Sequence, residues 1–394
     1  MSEALPIRIA FVVNRFDVGG LERYVSRMCN HLPHDRFETE LICLRSAGNA
    51  RHWLDPSKVV VHELNAAKGN DRKLVKQLRE LILSRGFDIV QSHNWGTLLE
   101  TYFACNRLRS KVKHIHAERG TVLGPDCTTK WKRVIRSLAM RFILPRVCGT
   151  VCNAYAIKNK IRQATGLDRI RIEVIPNGLE LSVSDREIES MRNTTRGGLG
   201  FDNNTLVVGF LGRFAPVKNP GLVIDAFRQV LQTPGGMPKR NIKLLMVGDG
   251  QLLDDLRNKV ISCGMEDSVV FPGEQTDSLQ WLASMDVLVN SSRSEGMSQA
   301  ILEGMALGVP LIVTDVGDSK LLVREGKFEP ACGSSIASDD PGALADEIIR
   351  FCKSPALRSE FSRNARQRFD RWYSLKTMLD RYQEYYTSMV RNAT

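Results

Sequence analysis

The chain of 394 residues contains no run of about 18 apolar residues, the shortest that would span a membrane as a helix. Its nine cysteines are scattered, odd in number and never spaced as CxxC, which excludes a disulfide framework and favours reduced thiols. Low-complexity tracts and short-period repeats are missing, so disordered and solenoid classes are excluded. Clusters with metal-ligand spacing are missing too. Asp254-Asp255 and Asp339-Asp340 read as solvated helix or turn acids, and no metal is expected. Met1 is followed almost at once by the strand-like IRIAFVV, with no leader pattern, so a cytoplasmic protein is expected.

An excess of acid is also lacking, as the net charge is +11. Residues 1–180 carry 30 Lys and Arg against 17 Asp and Glu, whereas residues 181–394 carry 25 against 27. The excess therefore lies in the first half, which suggests an anionic partner there. Nucleic acid is a poor candidate, because no aromatic-interleaved basic strand or recognition helix is present and the charge spares the second half.

Strand and helix patterns alternate along the chain. Ile7–Val13 is apolar apart from Arg8, as expected of a strand buried on both faces. Six more strand patterns follow before Ile175, with helical patterns between them, and PNG at Pro176–Gly178 breaks the series. The pattern restarts at Leu206–Leu211 with four further strands to Thr314, then helices. This predicts an α/β protein of two doubly wound, parallel-sheet, Rossmann-like domains. The expected boundaries are residues 1–180 for the first domain, a polar linker at 181–204, and 205–372 for the second.

Three segments carry candidate chemistry. SEGMSQAILE at Ser294–Glu303 follows a buried strand and opens a helix. With Ser298 as the cap, first-turn amides would face an anion, and Glu303 would lie one to two turns in, where a carboxylate can accept from two ribose hydroxyls. The plainer alternative is two solvated glutamates favoured by the helix dipole. GRFAPVK at Gly212–Lys218 follows the first strand of the second half and places Arg213 and Lys218 where open α/β sheets bind ligands. A guanidinium fork and an ammonium suit a pyrophosphate, although a solvated basic loop has the same composition. Gly248-Asp249-Gly250 reads as a tight turn. Gly19-Gly20 after the first strand allows close backbone approach to a phosphate. It lacks G-x-G-x-x-G spacing and a ribose-binding acid, which argues against a nicotinamide enzyme.

Together these segments resemble the retaining glycosyltransferases of family 4, which have the GT-B fold. The resemblance runs through GGLER, the HN after DIVQS, PNG, GRFAPVKN, VGDG and SEGMSQAILEGMALGVPLIVTDVGD. It implies two domains facing a central cleft, with the terminal helix, about 373–394, crossing back onto the first. It implies a nucleotide-sugar donor such as a UDP- or GDP-sugar, no cofactor and no metal. Arg213 and Lys218 would hold the diphosphate and Glu303 the ribose. Glu295, with the backbone of Gly296, Met297 and Ser298, would hold the sugar and distal phosphate, which Gly19 and Gly20 would approach from the other domain. The base would rest near Phe271–Gln275. The family's histidine after the middle strand has no plain counterpart in HIHAERG: Arg119 stands at the aligned position, and His116 is the other choice for a catalytic group. His114 and His116 share a face by alternation.

The acceptor, a glycan or a lipid-linked sugar, should meet the first domain. Lys130–Leu144 is a basic amphipathic helix with Trp131, Val134, Ile135, Leu138, Phe142 and Ile143 on its apolar side. That side either packs on its own sheet or belongs to a surface resting on anionic membrane, and both hold if lipid headgroups take only the cations. A peripheral enzyme of cell-envelope polysaccharide or lipopolysaccharide synthesis is the expected context. The alternatives are an epimerase or phosphorylase of the same architecture, or a non-catalytic nucleotide-sugar-binding protein.

Overall fold

Seven strands form the first sheet: β1 (Ile7–Val13), β2 (Phe37–Cys43), β3 (Val60–Glu63), β4 (Ile89–His93), β5 (Lys113–Glu118), β6 (Gly149–Cys152) and β7 (Ile172–Val174). The computed structural model describes residues 5–67, 72–108, 111–120, 122–124, 127–181, 183–202, 204–234, 241–324, 326 and 329–391. All pairings in this sheet are parallel, in the order β3-β2-β1-β4-β5-β6-β7. Parallel strands need crossovers, and α1 (Gly20–His31), α2 (Arg72–Arg85), α3 (Trp95–Cys105), α4 (Lys130–Ile143) and α5 (Tyr155–Thr165) provide five of the six, with only the short 3-10 turn Asn49–Trp53 between β2 and β3. The inner strands β1 and β4 are buried almost throughout; β1 is accordingly apolar from Ile9 to Val13, whereas β4 buries the polar Gln91, Ser92 and His93.

The second sheet follows the same plan. It is preceded by α6 (Asp185–Gly198) and built from β8 (Leu206–Leu211), α7 (Pro220–Gln232), β9 (Ile242–Val247), α8 (Leu253–Ser262), β10 (Val269–Gly273), α9 (Ser278–Ala283) and β11 (Val287–Asn290). It continues through α10 (Gln299–Ala306), β12 (Leu311–Thr314), α11 (Ser319–Val323), β13 (Gly333–Ile336), α12 (Pro341–Lys353) and α13 (Pro355–Trp372). The order β10-β9-β8-β11-β12-β13 is again all parallel. Helix α14 (Leu375–Arg391) returns to the first sheet, where Tyr382 and Tyr386 are fully buried and the Tyr386 hydroxyl donates to Gln91 Oε1 at 2.9 Å. The chain thus divides into a first unit of Met1–Gly178 with Leu375–Thr394 and a second of Leu179–Ser374.

Three elements depart from the sequence reading. β13 is a polar edge strand, GSSI, and carries no apolar run to mark it. α11 has five residues, too few to show a period. The stretch 181–204, read from its polarity as a linker, instead contains α6, which belongs to the second unit. Ser184 and Glu187 form a reciprocal capping box at its start. Arg192 pairs with Asp286 at 2.6 Å. Arg196 is nearly fully buried and donates to Asp286 (3.2 Å), to the carbonyl oxygens of Ser284 and Asp202 (both 3.1 Å) and to that of Thr205. Replacing Arg196 by Met leaves those acceptors without their donor and should destabilise the second unit by about 2–4 kcal/mol. Chemical denaturation checks this, and an unchanged midpoint would mean that α6 is only an appended linker.

Candidate active site

In the second sheet the strand order turns outward in both directions from the neighbours β8 and β11. Ligands of doubly wound sheets bind beyond the carboxyl ends of such a pair. The loop after β8 carries Arg213 and Lys218, and the loop after β11 carries Glu295 to Ser298. The two loops are stitched together. Arg293 N donates to Val217 O at 2.8 Å, and the Ser291 hydroxyl reaches the carbonyl oxygens of Lys218 (2.9 Å) and Asn219 (3.0 Å). At the end of this seam the Lys218 ammonium donates to Glu295 Oε1, which also accepts from Ser292 Oγ at 2.7 Å. Arg213 is exposed, and among the described residues its guanidinium makes no hydrogen bond or ion pair.

Glycines fix the course of both loops. Gly248 has φ +140°, and a Cβ there would overlap the Gly212 carbonyl oxygen. Phe214 N donates to Asp249 O at 2.7 Å and Leu252 N to Phe214 O at 3.1 Å. The Gly248–Gly250 segment is therefore more than the tight turn read from the sequence, because the Arg213–Lys218 loop rests on it. Gly317, at φ +56°, does the same for the other loop, since a Cβ there would overlap the Glu295 carbonyl oxygen.

Ser298 occupies the N-cap position of α10, but its hydroxyl does not cap the helix. It accepts instead from Asn290 Nδ2 at 3.1 Å, so no side chain at the cap engages the first-turn amides. Glu303 lies four residues after Gln299, about 6 Å along the axis. It is half-buried and accepts from Ser278 Oγ (3.1 Å) and Gln299 Nε2 (2.9 Å), two partners that the sequence reading missed. An ammonium, a guanidinium and uncapped helix amides gathered on adjacent loops form a set of anion ligands.

In the first unit, Gly19 is the N-cap of α1 with extended backbone, and open space surrounds the position of a Cβ on Gly20. His116 does not stand at a site. It is fully buried, its Nδ1 lies 3.0 Å from Ser92 Oγ, and its Nε2 lies 3.8 Å from the equally buried Glu118. Alternation puts His114 on the same face, 2.9 Å from the same Ser92 hydroxyl. His116 is thus an interior residue that no substrate atom reaches in this state. Arg119 stands at the strand end instead. Its backbone N–H donates to Asn94 Oδ1 (2.8 Å) and its guanidinium to Asn177 Oδ1 (2.5 Å) and the Tyr382 hydroxyl, over the ring of Tyr24. His93 is buried between Val12 O and the Gln91 side chain, and burial pushes its pKa down to about 3, so it stays neutral. Tyr24, Asn94, Asn177 and Tyr382 were not foreseen as a cluster, because they come from distant parts of the chain.

Known families match both halves. The Glycosyltransferase Family 4 model covers residues 18–183, and the Glycosyl transferases group 1 model covers residues 191–368. The chain belongs to glycosyltransferase family 4. This family-4 enzyme is 26% identical over 396 residues to the UDP-Gal:alpha-D-GlcNAc-diphosphoundecaprenol alpha-1,3-galactosyltransferase of Escherichia coli, covering 98% of each chain. It is 28% identical over 203 residues to the lipopolysaccharide core biosynthesis mannosyltransferase LpsB of Rhizobium meliloti, spanning 51% of this chain and 56% of that one. The crystal structure of Anabaena HepE in complex with UDP-glucose superposes with a TM-score of 0.73 at 20% identity, over 97% of this chain and 100% of that one. The fold is GT-B and the enzyme is a glycosyltransferase. The epimerase, phosphorylase and sensor readings find no support in these relatives.

One face of this glycosyltransferase departs from expectation. Trp131, Val134, Ile135, Leu138 and Phe142 of α4 are each 52–62% exposed. At about 100° per residue they form one stripe, with Lys130 and Arg141 on one side and Lys132 on the other. Met140 and Ile143 are buried on the opposite face, and Arg136 is stacked 5.0 Å from the Trp95 ring. The apolar side therefore points away from the sheet, because periodicity marks a stripe without saying which side of the helix the core occupies. Among the described residues no helix is long and apolar enough to cross a membrane.

The support beneath the Arg213–Lys218 loop is testable. Gly248→Ala forces a Cβ into the Gly212 carbonyl at a positive φ, and it should destabilise the enzyme by about 2 kcal/mol or more and lower its transferase activity. Wild-type stability and turnover in that variant would contradict the packing described.

Proposed function

We propose that the enzyme transfers a hexose from a UDP-hexose to a lipid-linked or glycan acceptor of the cell envelope, with retention of configuration and without a metal. The observation that carries this reading is the Lys218–Glu295 seam beside the uncapped start of α10, with Arg213, unpaired among the described residues, on the same loop as Lys218. Departure of the nucleotide diphosphate builds negative charge on its oxygens. Arg213, Lys218 and the α10 amides would take that charge, the role a metal plays in other transferases. Before the donor arrives, Glu295 holds the Lys218 ammonium in place. A diphosphate would then compete for it and leave Glu295 as an acceptor for sugar hydroxyls. Glu303 would accept from the ribose diol, with Ser278 and Gln299 holding its two oxygens until then. Gly19 and Gly20, at the start of α1, would leave backbone room for a phosphate. Uracil is favoured as the base by the names of the Escherichia coli relative and of the Anabaena complex. Retention, by attack on the face from which the leaving group departs, is inferred from family membership alone.

A lipid-linked acceptor calls for contact with a membrane. The exposed α4 stripe and its flanking Lys130, Lys132 and Arg141 support a peripheral mode, with the five apolar side chains at the acyl boundary and the cations among anionic headgroups. The cytoplasmic face of the membrane, where nucleotide-sugars are available, is the expected location.

Lys218→Ala is expected to lower kcat for transfer from UDP-hexose by about 10²–10³-fold, an effect on the scale of losing one charge-stabilising donor, with activity in EDTA unchanged. A steady-state assay with and without chelator checks both. A fully active Lys218→Ala enzyme would remove the basis of the reading. For the membrane contact, Leu138→Asp should abolish co-sedimentation with phosphatidylglycerol vesicles at unchanged melting temperature. Undiminished binding, or a wild-type dimer that this substitution dissociates, would assign the stripe to something other than lipid.

A further inference from the structure

We propose that Asp339 is a positioning residue of the donor site, holding the Lys218 loop and the Glu295 loop at one fixed spacing. The inference rests on the donor-site reading above and adds to it a residue that touches no substrate.

Asp339 follows the edge strand β13 and immediately precedes Asp340, the N-cap of α12. From the sequence the pair reads as solvated turn acids, and Asp340 is an ordinary helix cap whose Oδ1 accepts from Ala343 N at 2.9 Å. Asp339 is different. Its Oδ1 accepts from Arg293 Nε (2.9 Å) and Nη2 (2.8 Å) and from Asn219 Nδ2 (2.8 Å). Arg293 lies two residues before Glu295, and Asn219 directly follows Lys218. One carboxylate oxygen therefore joins the two loops whose tips meet in the Lys218–Glu295 pair.

The backbone shows that this arrangement is imposed. Asp339 has φ +61° and Asn219 has φ +49°, two of the five non-glycine residues with positive φ among the described residues. Such conformations persist where the surroundings over-determine them, and they gather at functional sites. The hydrogen bonds from Arg293 hold the Asp339 carboxyl below the usual carboxylate range, so it stays ionised at neutral pH. Arg293 and Asp339 are both about half exposed, and exposed pairs add little to stability. Their consequence is geometric, since Lys218 and Glu295 must present charge at one separation to a diphosphate and its sugar. Small displacements of such groups reduce rate steeply.

The test uses two substitutions whose structural effects differ. Asp339→Gly removes the acceptor but relieves the positive φ, which glycine adopts freely, so its melting temperature should equal or exceed that of the wild type. Its affinity for UDP by calorimetry should nevertheless fall by about fivefold or more, and kcat/KM for UDP-hexose should fall further. Asp339→Asn keeps Oδ1 and tolerates the left-handed region, so it should restore most of both. The proposal is overturned if Asp339→Gly binds UDP as the wild type does, if its loss merely tracks a lower melting temperature, or if Asp339→Asn falls as far as Asp339→Gly. Lys218→Ala in the same titration separates the two claims. Wild-type UDP affinity in that variant sinks the donor-site reading itself, whereas wild-type affinity in Asp339→Gly alone sinks only the clamp.

Discussion

An ammonium held against a carboxylate at the carboxyl ends of two adjacent parallel strands is the interaction on which the second unit's site depends. Lys218 and Glu295 come from loops 77 residues apart in the chain, and the pair exists because β8 and β11 are neighbours. The strand order places the loops together, and the Ser291 hydroxyl and the Arg293 amide then fasten one to the other. A charge pair in that position is preorganised.

Glycine is the means by which so much backbone converges there. Gly248 and Gly317 adopt positive φ where a neighbouring carbonyl leaves no room for a Cβ, one beneath each of the two loops. The first unit uses side chains for the corresponding task. Arg119 is fastened by Asn94, Asn177 and Tyr382 over Tyr24, so a segment near the unit's boundary and the returning helix α14 meet at the end of β5.

The doubly wound fold was legible because parallel strands buried on both faces leave apolar runs, as in Ile9–Val13 and Leu206–Leu211. Lys218 and Glu295 were legible as candidates because they lie in the loops that follow the strands β8 and β11. Pairing between the two loops was not, since contacts between residues far apart in the chain leave no periodic trace. Helix α6 was missed through trust in polarity, although the capping-box spacing of Ser184 and Glu187 was present in the sequence. For α4 the stripe was seen and its direction misjudged, because amphipathicity has the same period whether the apolar side faces a core or a solvent boundary. His116 was misjudged for a related reason: alternation shows which residues share a face of β5 but not whether that face is covered.

Assigning the seam to a nucleotide diphosphate is tested most directly by a crystal structure of the enzyme with bound UDP-hexose. The account predicts the diphosphate between Arg213, Lys218 and the first turn of α10, with Lys218 transferred from Glu295 to a phosphate oxygen and Glu303 on the ribose. A nucleotide bound elsewhere, with the Lys218–Glu295 pair intact, would contradict it.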